Sequence, residues 1–123
     1  MDELLAYAAA SADGYLRGLD QRAVAPSDEA VAALAAFDRP LPQTPQPAID
    51  TLRLLDAVGS PATMGMAGGR FFGFVIGGPM PVALASNWLA SAWGQNSALQ
   101  AVTPATAQLE RIALRWLLEV LGL

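Results

Sequence analysis

From residue 57 to residue 109 the chain carries one charge, Arg70. A short protein with so long a neutral middle lacks the polar surface to wrap that segment in water by itself. Continuous apolar patches mark contacts, so the middle is expected to pack against another chain or another domain. The charge that does exist sits at the two ends. Nine acids and four arginines lie in residues 1–56, and Glu110, Arg111, Arg115 and Glu119 lie near the C-terminus.

The residues that are absent narrow the chemistry. No lysine, histidine or cysteine occurs anywhere. This removes a Schiff-base amine, an imidazole base, a thiolate and the soft metal ligands. A net charge of −4 without any Lys/Arg cluster argues against nucleic acid as a partner. The opening MDELLAYAAA is acidic where a secretory signal needs basic residues, so a cytoplasmic setting is expected. Disorder is excluded by the 54% hydrophobic content, and richness in Ala and Leu favours helix.

The fold class expected is all-α, with a proline-rich connector and one short extended segment at about 71–76. Leu4, Leu5, Ala8, Ala12, Tyr15, Leu16 and Leu19 recur at helical spacing and predict a helix over 2–22. Gly14 and Gly18 weaken it, so it needs a docking surface. Ser27 is an N-cap candidate with Asp28 and Glu29 in the first turn, for a short helix to Phe37. Pro40, Pro42, Pro45 and Pro47 exclude a regular helix and predict an extended connector. A third helix is expected from Ala48 to Val58, with Gly59 as its C′ residue.

Phe71 to Ile76, apolar and bounded by Gly68-Gly69 and Gly77-Gly78, reads as strand-like. Pro79 and Pro81 introduce a helix through Leu84, Trp88, Leu89, Ala92 and Trp93 to about Ala98. Thr103 as N-cap and Pro104 at N1 open the last helix. Leu109, Ile112, Ala113, Trp116, Leu117 and Val120 line one face of it, an Arg115–Glu119 pair its wet side, and Gly122 its end.

The glycine pairs do not fit a nucleotide loop, because no lysine follows and the spacing is wrong. Close approach of two backbones suits them better. Arg70 suits pairing with a partner's carboxylate, anchoring of an anionic group, or a surface role at the edge of the segment. Arg70, Phe71, Trp88 and Trp93 are candidate interface residues. Phe71 to Trp93 is uncharged and long enough for a bilayer core of ~30 Å. Its glycines, prolines, Asn87 and small residues fit protein packing better than lipid.

RFFGFVIGGPMPVALASNWLASAWGQN at 70–96, followed by TPATAQLERIALRWLLEVLGL at 103–123, resembles the N-terminal part of the group II pyridoxal-phosphate-dependent decarboxylases. These include the aromatic-amino-acid, glutamate, histidine and tyrosine decarboxylases. The resemblance is strong over 47–123 and loose over a helical arm at 1–46, within a single region, 1–123. It departs at Gly68-Gly69, where the family has His-Pro, and at Gly94, where it has aspartate.

The resemblance implies an obligate homodimer whose N-terminal helices pack across the partner subunit. It also implies that Phe72, Phe74, Val75, Ile76, Gly77 and Gly78 line a substrate pocket, with Val75 and Ile76 forming an apolar wall. In the complete family enzyme the cofactor is pyridoxal phosphate. The lysine, histidine, aspartate and phosphate loop that hold it correspond to positions beyond Leu123, so no cofactor is expected on this chain alone and no activity in isolation. The partners expected are a second copy or a complementary decarboxylase fragment. The alternatives are a non-catalytic association module and a small membrane-associated protein.

Overall fold

A helix whose last carbonyls find no intrahelical partner needs donors from elsewhere. In this protein two arginines distant in sequence reach carbonyls in and just beyond such helix ends. The computed structural model describes residues 2–123, and five α-helices form among them with no β-strand. These are α1 (Asp2–Gly18), α2 (Asp28–Ala33), α3 (Ala48–Leu54), α4 (Pro81–Trp93) and α5 (Pro104–Leu121). The chain divides into two compact units, Met1–Gly78 and Pro79–Leu123.

In the first unit α1 packs on α3. Past the end of α1, the Arg70 guanidinium donates to the carbonyls of Leu19 (3.0 Å) and Arg22. Arg22 in turn donates to the carbonyls of Ser60 (3.0 Å), Pro61 (3.2 Å) and Thr63, at the end of a 3₁₀ turn over Ser60–Ala62. Its guanidinium also lies 5.4 Å from the centre of the Tyr15 ring, a cation–π contact. A backbone bond from Gly65 N to Val24 O (2.8 Å) completes the clamp. Leu19, 7% exposed, is buried where the 65–68 loop crosses it, with Gly65 and Gly68 against its side chain.

Ser27 accepts from Ala30 N at 3.2 Å, as its position before Asp28-Glu29 predicts, and α2 tightens into a 3₁₀ turn at Leu34–Phe37. The third helix does not stop at a left-handed Gly59. It widens into a π-helical turn over Leu55–Gly59, and Gly59 keeps φ −74°. The reason is continuation: the 3₁₀ turn at Ser60–Ala62 carries the chain onward, so no reversal is needed at Gly59.

The extended segment expected at 71–76 is absent. Phe74 and Val75 instead adopt φ of 57° and 56°, and Ile76 N donates to Gly73 O at 3.2 Å, closing a left-handed turn. A strand is held by ladder bonds to a neighbouring strand, and the described residues contain none.

In the second unit α4 stops five residues earlier than its hydrophobic run suggests, because Gly94 takes the left-handed C-cap conformation (φ 58°). The loop after it is pinned to α5: Thr106 Oγ1 donates to Asn96 O (2.8 Å) and Ala98 N donates to a Glu110 carboxylate oxygen (3.2 Å). Thr103 and Pro104 open α5 as expected, and Gly122 closes it at φ 68°. The Thr103 hydroxyl does not cap forward, however. It is buried and donates back to Leu99 O at 3.1 Å. The Arg115–Glu119 pair is not formed among the described residues, where the ion pairs are Arg17–Asp13 and Arg53–Asp50. Its orientation, Arg before Glu, is the weaker one on a helix. Among the described residues no helix is long and apolar enough to cross a membrane.

Candidate functional site: an uncovered apolar surface

A folded monomer of 12.8 kDa exposes about 6,300 Å², and two separate globules dividing that mass as these units do expose about 7,500 Å². This chain exposes 9640 Å². The excess over even the two-body figure, roughly 2,000 Å², exceeds the ~800 Å² that each partner contributes to a standard protein interface. Exposed large apolar side chains occur along the whole chain, and those of the neutral middle include Phe72, Phe74, Val75 and Leu89.

The loop after Arg70 contributes the most exposed part. Phe72 is 93% exposed, Phe74 83% and Val75 108%, and Ile76 is also exposed. The Phe71 ring folds over Gly73, where a Cβ would sit 3.0 Å from its Cζ. This arrangement throws Phe72 and Phe74 outward. Left-handed backbone costs an L-residue ~1–2 kcal/mol, and a β-branched residue such as Val75 is a genuine outlier there. Such strain persists where the surroundings impose it and clusters at contact and switch regions.

Arg70 anchors the base of this loop through the Leu19 and Arg22 carbonyls, so its guanidinium serves an intramolecular clamp. Gly78 makes the close backbone approach expected of a glycine pair, since a Cβ there would meet Ala67 Cα at 2.8 Å. Gly68 makes ordinary contacts with Leu19 and Gly65, while Gly69 and Gly77 face open space. Phe72 to Gly78 thus share one loop of the first unit. Trp88 and Trp93 lie on α4 of the second unit, both exposed.

In that second unit an open groove of about 510 Å³ runs between α4 and α5. Leu89, Trp93, Leu109 and Ala113 supply its apolar lining. The α5 stripe is uncovered: Leu109, Trp116 and Leu117 are more than half exposed and Val120 is 83% exposed.

Sequence reasoning missed a polar cluster in the first unit. Asp56 accepts hydrogen bonds from Ser11 Oγ (2.7 Å), Ser60 Oγ (2.7 Å) and Tyr7 OH (3.3 Å). The Ser11 bond, then the Ser60 bond, hold its carboxyl below the ordinary range against a smaller opposing effect of burial, and Tyr7 adds to the lowering. The only sequence signal was the Asp56–Ser60 spacing, one helical turn. Glu29 is lowered too, by its own backbone N–H and by Ser27, at the start of α2.

Asp56, Ser60, Arg22 and Ser27 border a shallow cleft of about 530 Å³. A carboxylate stabilised in its charged form is a weaker base than usual, and the cleft holds no imidazole to activate a hydroxyl. No side-chain amine occurs in the sequence, and Arg22, the cationic side chain lining this cleft, is engaged with carbonyls. Among the described residues no cluster of His, Cys, Asp and Glu is placed to hold a metal ion. Comparison with family models, curated proteins and solved structures finds no match to this chain.

Proposed function

We propose that the chain is the N-terminal dimerisation and substrate-pocket-lining region of a pyridoxal-phosphate-dependent L-amino-acid decarboxylase, inactive in isolation. The observation that carries this reading is the strained, outward-facing loop Phe72–Ile76. It lies within the motif RFFGFVIGGP, by which the chain resembles that family. An apolar wall held in a costly conformation and facing water fits a surface completed by another polypeptide. The cofactor's lysine and phosphate cradle come from residues other than these 123. A cytoplasmic setting belongs to the same proposal.

The DNA that follows codon 123 tests it. The expected outcome is a frame, in register or shifted, that encodes a lysine-bearing cofactor domain. The chain should then co-purify with that domain, and Phe74→Asp should abolish the association. An unrelated gene in that place, or a cofactor domain indifferent to the chain, overturns the reading. The uncovered surface also favours a second reading, a non-catalytic association module. An unrelated neighbouring gene together with a stable assembly of the chain would select it.

A further inference from the structure

Between the Leu34–Phe37 turn and α3 the chain reads DRPLPQTPQP, residues 38–47. Each proline ring fixes its own φ at about −65°. The residue before a proline is pushed toward extended or polyproline-II backbone, which here restricts Arg39, Leu41, Thr44 and Gln46. From Arg39 to Pro47 only Gln43 keeps ordinary freedom, and the chain bends at Gln43 and Thr44. Every residue of 38–47 is exposed. The fold holds the two ends, through Arg39 N to Phe37 O (2.9 Å) and Asp50 N to Pro47 O (3.0 Å). The hydrogen bonds described for 40–46 stay within the segment, with Gln43 Nε2 donating to Leu41 O (3.0 Å) and Gln46 Nε2 to Thr44 O (3.4 Å).

We propose that Arg39–Pro45 is a ligand for a protein module of the SH3 type, with an aromatic-lined groove and a carboxylate at one end. A polyproline-II helix repeats every three residues, so side chains three apart share an edge. One edge carries Arg39, Pro42 and Pro45, the two prolines roughly 9 Å apart. The next carries Leu41 and Thr44, and the third Pro40, Gln43 and Gln46. Leu41-Pro42 and Thr44-Pro45 thus form two successive pairs that slots between aromatic rings accept, while the third edge stays in water. A connector needs reach alone. The prolines here also lower the entropy that an extended ligand loses when a groove fixes it.

Charge sets the direction in which the segment lies. Arg39 is the one cation of 38–47 and stands at the N-terminal end of its edge. Its Nε donates to Ala36 O at 2.7 Å, and it takes part in neither ion pair of the described residues, Arg17–Asp13 and Arg53–Asp50. The remaining guanidinium nitrogens suit the groove's carboxylate. Asp38 caps the preceding turn with ψ 79° and lies outside the polyproline run. This proposal stands on 39–45 alone. Its failure would leave the downstream-sequence test of the decarboxylase reading untouched.

The experiment titrates the full chain, by calorimetry, with a purified SH3 domain that takes arginine-first Pro-x-x-Pro peptides. A small transient contact gives a Kd on the order of 10 µM. Arg39→Ala and Pro42→Ala should each weaken binding at least about tenfold. Pro40→Ala makes the same backbone change on the open edge, serves as the folding control, and should weaken binding no more than about twofold. Gln43→Pro should tighten binding about threefold, because it removes the bend and fixes the last free φ. A Kd above about 1 mM, equal losses for Pro40→Ala and Pro42→Ala, an Arg39→Ala chain that binds like the parent, or weaker binding by Gln43→Pro each overturn the proposal.

Discussion

Replacing Arg22 by alanine removes the centre of the first unit's clamp, and the structure sets the size of the loss. The half-buried guanidinium serves three carbonyls, those of Ser60, Pro61 and Thr63, and faces the Tyr15 ring. Hydrogen bonds to charged groups are worth ~1.5–3 kcal/mol when buried. These acceptors are mostly exposed, so water replaces the guanidinium in the variant and each bond retains only ~0.5 kcal/mol. The cation–π contact adds ~0.5–1 kcal/mol at such a site.

The sum is about 2 kcal/mol, which for a body of this size lowers the melting temperature by roughly 8–16 °C. Thermal unfolding followed by circular dichroism at 222 nm reads it. Arg22→Lys should recover less than half of the loss, because an ammonium is a point charge and cannot fork across three carbonyls. A melting temperature for Arg22→Ala within ~3 °C of the parent, or complete rescue by lysine, would refute the clamp.

Val75→Gly should raise stability by ~0.5–1 kcal/mol. It relieves left-handed strain at a side chain that touches nothing, against a smaller cost in unfolded-state entropy. A lower melting temperature would sink that account. Gly78→Ala should cost ~1–3 kcal/mol, because its Cβ would meet Ala67 backbone at 2.8 Å; chemical denaturation with an unchanged m-value checks it. Asp56 has a depressed folded-state pKa, so its contribution is present above the usual carboxylate range and is lost as pH falls through the folded value. Asp56→Asn should therefore flatten the fall in stability below roughly pH 4, and an unchanged acid limb would count against the cluster. Ser11→Ala should weaken the unit by up to ~1 kcal/mol at neutral pH, in the same assay.

What the sequence revealed was local. Ser27 before Asp28-Glu29, Pro104 at the start of α5 and Gly122 at its end act within one turn, so their neighbours identify them. The candidate surface was legible too, because a neutral run from 57 to 109 cannot hide itself. The clamp was not legible: Arg22 reaches carbonyls 38 to 41 residues away, and Arg70 reaches across 48 to 51. An isolated arginine suits an interface as readily as a helix end, and only the fold decides between them. Phe71–Ile76 was misread for a related reason. Apolar residues between glycines satisfy the local description of a strand, yet a strand exists only with a neighbour, and that is not a local property. Asp56 likewise depends on Ser11, 45 residues away on α1.

The uncovered surface also carries a consequence for the chain's life in a cell. A protein that hides its apolar stripes only on association has a folded fraction that rises with its own concentration, because the partner acts as a stabilising ligand. Were this surface covered by a second copy, newly made copies would divide between pairing and capture by holdases or proteases, and doubling the gene would more than double the assembled form while the assembly remains far from saturation.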